Sequence, residues 1–86
     1  MENLTNKTGD LSMVSMTEAD ARSIATHEHY KGGLYRVLGE ARHSETEEWL
    51  VVYEQLWPKA RSFWVRPREM FHGKLEDGTV RFRPLL

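Results

Sequence analysis

Four short groups of residues in this chain contain the side-chain types that do chemistry. His43, Ser44 and Glu45 are the ingredients of a hydrolytic triad, in which a base takes the proton of a hydroxyl nucleophile and a carboxylate orients the base. That chemistry needs each member within about 3 Å of the next in space. Consecutive side chains on a turning loop point apart, and no Gly-x-Ser-x-Gly elbow is present. The spacing therefore predicts a polar turn in which the Ser44 and Thr46 hydroxyls bond the loop backbone. His43, with Glu45 beside it, remains as a loop-tip ligand contact, because loops on a rigid scaffold commonly carry binding groups.

His27-x-His29, with His43 or Glu45 as a third ligand, offers donors of the kind zinc takes, and on a strand the two imidazoles would share a face. Nothing in the spacing sets the third ligand, so the expectation is surface histidines with no metal and no cofactor. Lys31-Gly32-Gly33 lacks the order of a phosphate loop, and no helix follows to aim its amides. A diglycine entering a strand reads as a bulge or a turn that needs positive φ.

The feature above background lies in residues 58–86. Lys59, Arg61, Arg66, Arg68, Lys74, Arg81 and Arg83 stand there against Glu69, Glu76 and Asp77, a local net charge of +4, interleaved with Trp64, Phe71 and Phe82. Cationic grooves with aromatic platforms hold single-stranded nucleic acid, each stacked base contributing about 1–3 kcal/mol. The whole chain has 12 Lys plus Arg against 13 Asp plus Glu, a net charge of −1, whereas nucleic-acid domains are usually basic. Arginines alternating with apolar residues also describe any half-exposed strand. Tyr35, Trp49, Tyr53, Trp57 and Trp64 could line an aromatic groove, but a body this small has few other bulky residues for its core, so at least half of them are expected to be buried. Arg66 beside Trp64, followed by Pro67 and Arg68, leaves a rigid donor fork that suits a carboxylate or phosphate.

Strands must position these groups. From Leu34 to Arg42 the chain alternates Tyr35, Val37, Gly39 and Ala41 against Leu34, Arg36, Leu38, Glu40 and Arg42, the period of a strand. After the polar break at 43–47, Trp49 to Leu56 is a second strand with apolar residues on both faces. Pro58 ends it, Ser62 to Arg66 is a third, and Pro67 opens a 3₁₀-like turn through Met70 and Phe71. Residues 74–76 and 79–83 meet across Asp77-Gly78, a strong hairpin signal. Five short strands in about 55 residues predict a small, strongly curved barrel with one shared core, since closure removes exposed sheet edges. Thr17 before Glu18, Ala19 and Asp20 reads as the N-cap of a short helix over 18–25. Such a helix persists only if Ile24 and its neighbours dock on the body.

The division expected is a flexible N-terminal segment over 1–26, with a loose tail from Met1 to about Ser12, and a barrel domain over 27–86. All nine aromatic residues fall in the second part. At 86 residues the chain excludes a deep multi-domain cleft, and with no Cys it has neither a disulfide framework nor a thiolate nucleophile. No apolar run approaches the roughly 18 residues of a membrane helix, and no secretory leader pattern is present, so a cytoplasmic domain without membrane association is expected.

Five blocks, His29-Tyr30-Lys31-Gly32-Gly33-Leu34-Tyr35-Arg36-Val37, His43-Ser44-Glu45-Thr46, Val51-Val52-Tyr53, Trp64-Val65-Arg66-Pro67 and Met70-Phe71, together resemble the small bacterial family known as domain of unknown function sixteen-fifty-three. The resemblance covers about residues 27–84. It implies an SH3-like β-barrel and no activity. The expectation is thus a non-enzymatic binding or adaptor module. Arg36, His43, Glu45, Tyr53, Trp64, Arg66 and Arg68 would recognise an anionic or carboxylate-bearing peptide or small ligand. RNA or single-stranded DNA binding is the alternative, and an enzyme ranks third.

Overall fold

The structure is a computed structural model and describes residues 16–85; the loose tail expected over Met1 to about Ser12 lies outside the described residues. Helix α1 (Glu18–Ile24) precedes strands β1 (His27–His29), β2 (Leu34–Arg42), β3 (Trp49–Trp57) and β4 (Ser62–Pro67). One helical turn, α2 (Arg68–Phe71), and strand β5 (Phe82–Pro84) follow. The strands form a single antiparallel sheet in the order β4-β3-β2-β1-β5. The fold is mainly β with five strands, as the alternation predicts, but β4 and β5 are the two edges of an open sheet and do not close a barrel.

Two strands differ from expectation. His27 to His29, which is not among the five expected strands, pairs on both sides, His27 with Tyr35 and Pro84, and His29 with Phe82. Three residues are too few to show a period, and this strand exists because its neighbours supply partners for its backbone groups. The hairpin expected over 74–76 and 79–83 is reduced to one bridge, Lys74 to Val80. Its turn is present, with Gly78 at φ 91° and Asp77 Oδ1 accepting the Thr79 N–H at 2.9 Å. Phe82 leaves the hairpin to pair with β1 and to bury its ring, which is 4% exposed. The turn after the third strand is α-helical, the His72 N–H donating to the Arg68 carbonyl at 3.1 Å.

Both faces of β3 are apolar because both faces of the sheet are covered. On one, Val51, Tyr53, Phe71 and Phe82 form a buried cluster with Tyr35 and Val37 packed against it. On the other, α1 seats Ala21 against Leu34 and Leu56, with Ile24 beside them. The single core of a barrel is thus replaced by two, here named the α2 face and the α1 face. Helix α1 starts where the N-cap signal places it, the Thr17 hydroxyl accepting the Asp20 N–H at 3.1 Å. It persists because Ile24 docks.

The register also shifts in β2 between Val37, opposite Tyr53, and Gly39, opposite Val52. Leu38 is the extra residue of a bulge and is 48% exposed. A bulge turns the following residues to the opposite side, so Glu40 rather than Gly39 continues the α2 face begun by Tyr35 and Val37.

Candidate functional site

Pairing of β4 with β3 sets Trp64 opposite Tyr53 and Arg66 opposite Val51, which puts both side chains on the α2 face. The floor of this face is aromatic. Phe71 and Phe82 stack at 4.2 Å with 7° between planes, and Tyr35 and Tyr53 meet Phe82 edge-on at 5.4 and 5.6 Å. Over this floor the Arg66 guanidinium lies 5.8 Å from the Phe82 ring, and its Nε donates a long hydrogen bond of 3.4 Å to the Tyr53 hydroxyl. His29 closes one side, edge-on to Phe82 at 4.9 Å. Its Nδ1 accepts the Lys31 N–H at 3.1 Å, so the neutral ring carries its proton on Nε2. Burial first, then the charges of Arg66, Arg81 and Lys31, push the His29 pKa down. Burial and the neighbouring Tyr53 raise that of Tyr35, against an opposing pull from Arg66.

Ion pairing divides the cations into two sets. Arg22, Arg36, Arg42, Arg61, Arg68 and Arg83 each have a carboxylate within 4 Å. Among the described residues Arg66, Arg81, Lys31, Lys59 and Lys74 do not. Arg66 and Arg81 are half-buried, and the Arg81 Nε is buried with no hydrogen-bond partner. A half-buried guanidinium without a counter-charge keeps a positive field that a carboxylate or phosphate would satisfy.

The other expected site residues are placed as follows. Arg36 is committed inward: its NH2 donates at 2.6 Å to Glu54, which is wholly buried and is also gripped by Arg61 at 2.8 and 2.9 Å. Arg68 binds Glu40 Oε1 through Nε and NH2 at 3.2 and 2.9 Å, and sits 5.1 Å from the Trp49 ring. His43 Nδ1 accepts the N–H groups of Glu45 and Thr46 at 3.1 and 3.2 Å, so the imidazole itself caps the loop; of the two hydroxyls expected to do so, that of Thr46 accepts the Glu48 N–H at 3.3 Å. That loop joins β2 to β3 at the end away from His29, and Glu45 is exposed on it. Tyr53 is buried, Tyr35 and Trp57 are half-buried, and Trp49 and Trp64 are 40% and 52% exposed. The Trp64 indole N–H donates to the Ser62 hydroxyl at 2.8 Å. The structure thus brings Arg66, Tyr53 and Trp64 together on one face, holds Arg68 at the edge of that face in its pair with Glu40, and leaves Arg36, His43 and Glu45 elsewhere.

The spacing of residue types does not mark Glu54 and Arg61 as partners, and it marks His29 only as a candidate metal ligand. A lone carboxylate within the apolar run of β3 was the available signal for the first pair, since a buried acid demands a cation. His27 and His29 do share a face, but among the described residues no three metal-ligating side chains converge. No helix among the described residues is long and apolar enough to cross a membrane.

Compared with known proteins, residues 25–84 match the model of the family described as "Protein of unknown function (DUF1653)". No curated protein and no solved structure matches the chain.

Proposed function

The chain belongs to the DUF1653 family, and from that premise we propose that it is a non-enzymatic binding module whose α2 face receives an anionic, carboxylate-bearing peptide or small ligand. One observation carries the reading. Arg66, alone among the four strand and loop arginines and histidine expected at the site, lies over an aromatic floor without a carboxylate partner among the described residues. The Nε2–H of His29, whose ring meets Phe82 edge-on, supplies a further donor nearby. Exposed Trp64 on the same face gives a partner an apolar contact.

The test is titration of isotope-labelled protein with carboxylate-bearing peptide and oligonucleotide pools while amide shifts are followed. Binding is expected to move the amides around Arg66, Tyr53 and His29. Arg66→Met, which keeps the apolar stem, should weaken it at least about tenfold, the effect of one charge-assisted hydrogen bond. Arg68→Met, whose charge already belongs to Glu40, should leave it nearly unchanged. If the Arg66 neighbours stay still for every anion, the reading fails. If only oligonucleotides bind, with affinity falling steeply as salt is added, the face serves single-stranded nucleic acid instead.

A further inference from the structure

Between the turn that joins β1 to β2 and the turn that joins β3 to β4 lies a pocket of about 360 Å³, walled by His29, Lys31, Tyr35, Gln55, Trp57 and Lys59. We propose that this pocket is a second binding site, for the phosphate monoester of a small molecule, with Lys31 and Lys59 as its cations. Its volume falls at the lower end of the range for small-molecule sites, about 300–1,000 Å³. No carboxylate lines it. Among the described residues neither lysine has an acidic partner, so the pocket presents two uncompensated positive charges. A phosphate monoester is close to a dianion at neutral pH, its second pKa being about 6, and matches that charge where a single carboxylate or a diester does not. Compact ammonium groups hold a phosphate as point charges and need no bidentate fork of the kind arginine offers to carboxylate or phosphate.

The neutral donors are also in place. His29 holds its proton on Nε2 because Nδ1 accepts the Lys31 N–H. Gln55 is held by the bond from its Nε2 to the Ala60 carbonyl at 2.9 Å, which leaves its oxygen for the organic part of a ligand. Tyr35 and Trp57 supply apolar wall. Tyr35 can reach this position because residue 33 is Gly: a Cβ there would lie 2.9 Å from the edge of its ring. Arg66 does not line the pocket, so the site is separate from the carboxylate face and shares with it only the His29 and Tyr35 rings.

Inorganic phosphate, phenyl phosphate, dimethyl phosphate and acetate should be titrated in turn into the labelled full-length chain. The expected result is saturable movement of the Lys31, Gly33 and Lys59 amides by phosphate and phenyl phosphate, with phenyl phosphate tighter through the apolar walls. The anion should also raise the titration midpoint of the His29 ring. Lys31→Ala and Lys59→Ala, both at exposed positions, should each weaken binding about tenfold with the rest of the amide spectrum unchanged. Absence of saturation at millimolar phosphate overturns the proposal, as does equal response to acetate or dimethyl phosphate. Phosphate binding lost in Arg66→Met but kept in both lysine variants also overturns it, and leaves the carboxylate face standing. Phosphate binding lost in the lysine variants but kept in Arg66→Met supports the pocket, whatever Arg66→Met does to peptide binding.

Discussion

Glu54 is the residue whose surroundings say most about how the sheet is built. Its carboxylate is wholly buried on β3 and takes hydrogen bonds from Arg36 and Arg61, whose side chains are 36% and 18% exposed. Burying such a group is favourable only when its oxygens are filled, and removing one partner of a buried pair costs about 3–5 kcal/mol. Because both arginines keep some solvent, Glu54→Gln is expected at the lower end, about 3 kcal/mol, read as a lowered urea midpoint with unchanged slope. An unchanged midpoint would show that water reaches the pair. The same contact explains why Arg36 is poorly suited to a ligand. Its guanidinium is spent on a carboxylate eighteen residues away, a partner that the local pattern of β2 does not reveal.

At the level of elements, α1 and the β2 bulge determine which side chains face where. Helix α1 has seven residues, too few to hold together alone in water, so it depends on its cap and on Ala21 and Ile24 against the sheet. Thr17→Ala removes the acceptor for the Asp20 N–H and should cost about 1 kcal/mol. Hydrogen exchange should quicken first at the α1 amides, while those of β3 keep their protection; uniform quickening would mean that helix and sheet open as one unit. Thr17, the acidic first turn and Ile24 were all legible in the sequence, because capping and dipole effects are local. The bulge at Leu38 was not. Strict alternation along 34–42 assigns Gly39 and Ala41 to the face of Tyr35, and only pairing with β3 shows the register shift that sends Glu40 there instead. That shift lets Glu40 engage Arg68 and so removes Arg68 from the candidate site.

For the molecule as a whole, the β1–β5 pairing joins the start of the matched region to its end, with the Leu85 N–H donating to the Thr26 carbonyl at 2.9 Å. It also draws His27 and His29 onto the aromatic floor, His27 edge-on to Phe71 at 5.2 Å. Burial, then the charge of His72, pushes the His27 pKa down, and His29 is lowered likewise. A base whose pKa is lower folded than unfolded binds its proton more readily in the unfolded chain. Neither histidine therefore affects stability above the ordinary value near 6.5, and each subtracts from it as pH falls below that value toward the folded pKa. Urea midpoints should thus decline from pH 7 to pH 5, and both rings should titrate below 6.5 by NMR. A midpoint that rises over that interval would contradict the burial of these rings. What the sequence by itself determined is the part governed by neighbours in the chain: a mainly β body with its three long strands, a capped helix, the polar turn at His43, and the Asp77-Gly78 reversal. Tertiary structure alone decided that the sheet stays open with a core on each face, that three residues at 27–29 become a strand, and that Arg66, rather than Arg36 or Arg68, is left without a carboxylate partner among the described residues. Those outcomes depend on partners far away in sequence, and a guanidinium is free or spent according to which carboxylate the folded register brings within reach.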